Sequence, residues 1–179
     1  KTLANVHYVI LNLIGSSLFL FALGTLYGTT GTLNIADMAL RISQLSAGEQ
    51  VIAKAGGLLL LIVFGLKAAM LPLHFWLPRT YAAASAPVAA LFAIMTKVGI
   101  YGIFRVYTVI FGEQAGELAD MVQPWIWPLA FLTIIVGAIG ALASPNLRHL
   151  AANLVVISVG TLLIAFALRT PEATAAGLY

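Results

Sequence analysis

Five apolar runs divide the chain, each close to the ~20 residues that a helix needs to cross a bilayer. The first is Val6–Tyr27, where Gly24 and Gly28 have the spacing of close helix contact. Residues 28–55 then mix Gly, Thr and Ser with Asp37, Arg41, Glu49 and Lys54, and read as an extramembrane loop. Within it Leu33, Ile35, Met38, Leu40, Ile42 and Leu45 form a helical stripe, which predicts an interfacial helix. The second span is Gly56–Leu77; it encloses Pro72 and ends at Trp76 and Pro78, which mark the membrane edge. After a loop at Arg79–Ala86, Pro87 suits the first turn of a third span reaching Phe111, because its missing N–H costs nothing there. Glu113, Glu117 and Asp120 make an acidic loop, Trp125–Ala143 is the fourth span, Ser144–Arg148 turns the chain, and Leu150–Leu168 is the fifth.

Composition agrees with lipid as the main solvent. Charged residues are 8% and hydrophobic ones 61% of the chain, with a mean hydropathy of +1.02. A soluble domain carries about 25% charged residues, so these few cannot cover a wet surface. The expected fold class is all-α and integral to the membrane, a polytopic helix bundle with one discontinuous helix. The absence of cysteine excludes disulfides, thiolate metal sites and a cysteine nucleophile. A scattered net charge of +3 gives no nucleic-acid signature. The chain opens on Lys1 and stops at Tyr179 without a terminating pattern, so it reads as a piece of a longer protein.

Five spans put the N-terminus and the loops 78–86 and 144–149 on one side. That side carries Lys1, Arg79 and Arg148 and no acid, whereas all six acids lie opposite with Arg41, Lys54 and Arg169. The purely basic short loops assign their side to the cytoplasm.

Two residues conflict with the apolar pattern. Lys67 falls about midway along the second span and Lys97 about ten residues into the third. A lysine at the centre of an inserted helix costs roughly 2.5–3.5 kcal/mol on translocon scales, so both must face protein or water. The ordinary alternative is a structural lysine paired to a buried carboxylate, or one that snorkels; snorkelling works near helix ends, and neither lysine is placed near one. Desolvation disfavours an ammonium and a nearby carboxylate favours it. Moving that carboxylate switches the amine between holding and releasing a proton, which makes a carrier that needs no cofactor. Every acid here lies outside the spans, so a carboxylate tuning Lys67 must come from beyond this chain.

Other polar residues have two readings each. Pro72 removes a backbone hydrogen bond, so the helix is expected to kink or open there. His74, seven residues after Lys67 and on nearly the same helical face, either relays protons to the aqueous edge or is an interfacial histidine beside Trp76. Lys97, Tyr101 and Arg105 form one stripe at i, i+4 and i+8, where Tyr101 can simply pack and Arg105 can anchor a helix end. His149 reads as a loop-side basic residue. Asn153, Ser158 and Thr161 either hold water inside the bundle or act as interhelical glue. His7, His74 and His149 lie in separate segments without metal-ligand spacing, and no phosphate loop or nucleophile triad occurs, so enzyme chemistry in this chain is not expected.

The run KAAMLPLHFWLP from Lys67 to Pro78, continued by RTYAAASAPVAALFAIMTKVGIYGIFR to Arg105, resembles a known family. It is that of the antiporter-like membrane subunits shared by Mrp-type multisubunit sodium/proton antiporters and respiratory NADH–quinone oxidoreductase, complex I. APVAAL and TKVGIYG look closest to the D-type subunits of the Mrp group, and the resemblance covers the whole chain. It implies fourteen helices in two inverted five-helix repeats with broken helices at the ion path, of which this chain is similar to helices six to ten. It implies that Lys67 is the essential lysine of the discontinuous seventh helix, Lys97 the relay lysine of the eighth, and His74 the histidine of the PLHxWLP motif. The family's fifth-helix glutamate would lie before Lys1, and the second-half lysine or histidine of the twelfth helix beyond Tyr179. The family topology also puts loops 78–86 and 144–149 in the cytoplasm. Complex I relatives often have a proline where this chain has Ala69, which implies a milder break resting on Pro72 alone. The looser stretch Asn153–Gly160 favours the Mrp group.

Three readings follow. In the first, protons pass through Lys67 and Lys97 in exchange for sodium or another monovalent cation, within a hetero-oligomeric complex in a prokaryotic plasma membrane. In the second, the same lysines serve a redox-driven proton pump. The third is a non-conducting scaffold, which the mid-membrane lysines count against. No cofactor is expected in any of them.

Overall fold

The computed structural model describes residues 2–179, all of whose regular elements are helical. Helix α1 spans Thr2–Thr30, α2 Ile35–Ile42, α3 Ala47–Ala68, α4 Trp76–Ala83, α5 Ala86–Arg105, α6 Gln123–Leu142, α7 Leu147–Leu168 and α8 Pro171–Leu178. A π-helical turn, Val106–Ile110, extends α5, and a short 3₁₀ segment, Glu113–Leu118, follows. Among the described residues, five helices are long and apolar enough to cross a membrane: α1, α3, α5 with its π turn, α6 and α7.

Local chemistry sets the helix starts. Asn34 caps α2 by accepting from the N–H groups of Ala36 and Asp37. Ser46 and Glu49 form a capping box that starts α3 at Ala47. Residues 47–55 are therefore the first turns of a spanning helix and 28–30 the last turn of α1, so only 31–46 of the expected 28–55 loop lies outside one. Asn146 and Thr170 cap α7 and α8 in the same way.

Helix α3 lies between α1 and α5, while α7 packs on α4, α5 and α6. Lipid tails are as apolar as leucine, so close van der Waals fit rather than water exclusion holds such helices together. The α6–α7 seam shows it: a Cβ on Gly160 would lie 2.9 Å from Ala130 O and 3.1 Å from Ile134 N. One core joins Leu26, Leu60, Ile103, Ile126 and Leu163. A second, of Leu66, Ala69, Trp76, Leu77, Phe92 and Val156, lies against the gap between α3 and α4. Large apolar side chains such as Leu13, Phe21, Ile139 and Leu142 remain on the outside, as a lipid-facing surface requires.

The second span departs most from expectation. It does not run on to Leu77 through a mild kink at Pro72. The helix stops at Ala68 because Ala69 takes a left-handed conformation, φ 59° and ψ 41°, and the chain stays non-helical until Trp76. The N–H of Met70 bonds back to Gly65 O at 2.9 Å, the wrap-around that closes many helix ends. The discontinuity thus begins three residues before Pro72, where alanine adopts the turn that glycine usually supplies.

Candidate functional site

Because α3 ends at Ala68, Lys67 is its penultimate residue and not a mid-helix one. Its amine nevertheless meets a neighbouring helix well away from that helix's ends. It is half-buried and donates to Oδ1 of Asn12 on α1. Asn12 lies ten residues into α1, roughly 15 Å along its axis at 1.5 Å per residue. Lys67, Asn12, Tyr8, Leu11, Leu66, Trp76 and Met95 line a void of about 10 Å³, close to the volume that one water needs. Over it stands an aromatic triangle, with Tyr8–Trp76, Tyr8–Phe92 and Trp76–Phe92 ring centroids 5.7, 5.1 and 6.1 Å apart.

The interruption leaves backbone groups that must find partners away from water. Leu66 O accepts from the indole N–H of Trp76 at 2.8 Å. The N–H of Leu71 donates to Thr133 Oγ1 on α6 at 3.1 Å, and the Thr133 hydroxyl donates to Leu129 O at 2.6 Å. Both partners stand outside the helix that they complete.

Lys97 lies on α5, whose backbone touches the last turn of α3. A Cβ on Gly99 would lie 2.8 Å from Ala68 N and 3.0 Å from Phe64 O, so only glycine permits this approach. The Lys97 amine is half-buried and donates to Ser158 Oγ on α7, with Thr96 Oγ1 at 3.4 Å. Lys97, Tyr101, Ser158 and Thr161 share a cavity of about 770 Å³ between α5, α7 and the end of α8.

The remaining expected residues are less central. His74 does not share a helical face with Lys67, because the intervening turn is not helical. It does not line the Lys67 void, and its buried Nδ1 has no hydrogen-bond partner among the described residues. Arg105 is exposed and outside the Lys97 cavity. His149 stays in the first turn of α7, its ring beside Asn146 Oδ1 at 3.0 Å. Asn12 and Thr133 escaped the sequence reading, although each is a lone polar group in an apolar run.

Among the described residues, the ion pairs are Asp37–Arg41 and Asp120–Arg169, and neither involves Lys67 or Lys97. The Asp37 carboxyl is held below its ordinary range by the hydrogen bond from the Arg41 guanidinium and, secondarily, by one from Thr32. Arg41 also donates to Thr30 O at 3.1 Å, tying α2 to the end of α1. No group of three or more metal-ligating side chains occurs among the described residues. The arrangement offers two amines inside an apolar bundle, each held by neutral oxygen, one beside a helix break and one beside a cavity.

Comparison with known proteins gives one consistent result. The family described as NADH:quinone oxidoreductase/Mrp antiporter, TM, matches residues 1–179. The D-type subunit of a probable K(+)/H(+) antiporter of Rhizobium meliloti (strain 1021) is 43% identical over 176 residues, 98% of this chain and 33% of the relative. The D-type subunit of the Na(+)/H(+) antiporter of Bacillus subtilis (strain 168) is 41% identical over 176 residues, 98% of this chain and 34% of the relative. A chain in the structure of the Mrp complex from Dietzia sp. DQ12-45-1b superposes with a TM-score of 0.82 at 32% identity, covering 99% of this chain and 32% of that one. The chain thus spans about a third of the length of the curated relatives it matches.

Proposed function

The chain belongs to the NADH:quinone oxidoreductase/Mrp antiporter membrane family, and on that premise we propose that it is part of a proton-translocating subunit of a monovalent-cation/proton antiporter complex. Residues 1–179 form part of one antiporter-like domain in a prokaryotic plasma membrane, assembled with other membrane subunits. Protons pass by way of Lys67 and Lys97.

The observation that carries this reading is the pair of interior amines that meet no carboxylate among the described residues. A scaffold needs no charge at such depth. Neutral partners hold each amine without fixing it in an ion pair, so a carboxylate supplied from outside this chain can tip Lys67 between holding and releasing a proton. The Pro72 segment gives that exchange a non-helical wall, of the kind tolerated in membranes only beside protein or water. His74 and Tyr101 stand as secondary members of the route, and Arg105 and His149 as its basic margins. Curated relatives named for potassium and for sodium exchange support a monovalent cation as the counter-ion.

A second reading, a subunit of a redox-driven proton pump, is favoured by the breadth of the family itself. One experiment separates the two. The full-length subunit with its native partners is placed in everted vesicles of an antiporter-deficient host, and the pH gradient is followed by dye fluorescence as sodium or potassium is added. Cation-dependent collapse that vanishes in an assembled Lys67→Ala complex is the expected result. A complex that ignores both cations but acidifies the vesicles on NADH supports the redox reading. Normal exchange by an assembled Lys67→Ala complex would make the lysine structural and end the proposal.

A further inference from the structure

The turn between α3 and α4 is fastened by a side chain sixty-two residues away in sequence. Leu71 lies two residues past the left-handed Ala69 and immediately before Pro72, where its amide reaches no helical carbonyl. The N–H donates instead to Thr133 Oγ1, and Thr133, eleven residues into the twenty of α6, is completely buried. A hydroxyl has one proton, and that of Thr133 goes to Leu129 O. Thr133 therefore meets Leu71 as an acceptor.

We propose that Thr133 is a positioning residue for Lys67: by receiving the Leu71 N–H it fixes the turn 69–75, and with it the end of α3 that aims the lysine amine at Asn12. The inference deepens the reading of Lys67 as a proton carrier and rests on it. Three features lead to it. Lys67 is two residues from the left-handed Ala69 and four from the anchored amide, so a shift of the turn reaches it directly. The rest of the closure stays within α3, the turn and the first residue of α4, with Met70 N on Gly65 O and Trp76 Nε1 on Leu66 O. The Leu71 bond, by contrast, ties the turn to another spanning helix. The hydroxyl does not touch Lys67 or the small void beside it, so it acts through the backbone and not as a relay.

The test compares Thr133→Val, which keeps the shape and removes the acceptor, with Thr133→Ser, which keeps the hydroxyl, both in the full-length complex. Amide hydrogen exchange of the peptide covering 69–75 and cation-dependent collapse of the pH gradient are measured on the same assembled preparations. In Thr133→Val, exchange speeds up about tenfold at 69–75 and not along α6, as expected when one buried amide loses its acceptor. Turnover per assembled complex falls about tenfold while the half-saturating cation concentration stays within about twofold. Thr133→Ser restores both. Should Thr133→Val fail to assemble, Thr133→Cys, a poor acceptor of similar size, is read in the same two ways.

Wild-type turnover with a loosened turn would overturn the proposal, as would faster exchange throughout α6 or failure of Ser to rescue. A wild-type complex that ignores every monovalent cation would defeat the antiporter reading instead. The hydrogen-exchange arm would then still decide whether Thr133 holds the turn.

Discussion

The indole N–H of Trp76 donates to the carbonyl of Leu66 at 2.8 Å, so the first residue of α4 caps the end of α3 across the turn that separates them. The same ring packs with Tyr8 and Phe92, so Trp76 joins a polar and an apolar task in one place. Trp76→Phe keeps the packing and removes the donor. Leu66 O retains the Ala69 N–H at 3.3 Å, so the expected loss is about 0.5–1.5 kcal/mol. Trp76→Ala also empties the triangle and is expected to cost about 3–5 kcal/mol. Thermal unfolding of the purified complex should rank them in that order, and a Trp76→Phe complex that melts like the wild type would show that the indole N–H contributes nothing.

Gly99 predicts a clash that can be measured. An alanine there would set a Cβ 2.8 Å from Ala68 N, against backbone that cannot swing aside. Gly99→Ala should destabilise by about 1–3 kcal/mol, as overpacking does. Gly48→Ala, where nothing lies within 4 Å, should be neutral or slightly stabilising by helix propensity. Similar yields and melting temperatures for the two variants would refute the close contact.

Asn12 holds Lys67 with a neutral oxygen. Asn12→Asp would put a fixed carboxylate at that point and lock the amine in an ion pair. On the proposed route the variant assembles normally but exchanges protons at least about tenfold more slowly, since each broken buried pair costs several kcal/mol. Unchanged exchange in vesicles would remove Lys67–Asn12 from the route.

Ser158 plays the corresponding part for Lys97. Ser158→Ala leaves the amine with Thr96 Oγ1 at 3.4 Å as its remaining partner. Exchange should fall about tenfold, matching the loss of one hydrogen bond to a charged group, while the amount of assembled complex is unchanged. A variant with full activity would assign Ser158 to packing alone.

The Asp37–Arg41 pair gives a pH prediction with a definite sign. The Asp37 carboxyl is depressed below its ordinary value. Its contribution to fastening α2 is therefore complete above the usual carboxylate range of about 4 and is lost as pH falls through the lower folded value. Asp37→Asn should leave the pH profile of exchange between about pH 6 and 9 superimposable on that of the wild type. A displaced midpoint in that window would mean that Asp37 titrates with the transport cycle.

The spans and the two lysines were legible because length, hydropathy and a charge in an apolar run are local signals. The break was legible only as to its existence. Pro72 announces that the helix cannot continue, but the stop at Ala69 depends on a left-handed alanine, which composition does not advertise. Expecting His74 on the Lys67 face failed for the same reason, since helical periodicity does not carry through a non-helical turn. Ser46 with Glu49 and Thr170 with Pro171 start α3 and α8 by local capping, yet hydropathy alone puts 47–55 in the loop and suggests no helix after Arg169. Asn12 and Thr133 were visible as isolated polar residues, but their roles follow from which helices meet, and one sequence does not give that.

The contact of Gly99 with Ala68 also bears on motion. A joint between two helices usually contains side chains that change rotamer and absorb small displacements. Here backbone abuts backbone, so α5 and the last turn of α3 behave as a single lever that carries both amines. A stroke that resets the distance between Lys67 and Lys97 then falls to their flexible side chains, because backbone contact joins the two helices that carry them.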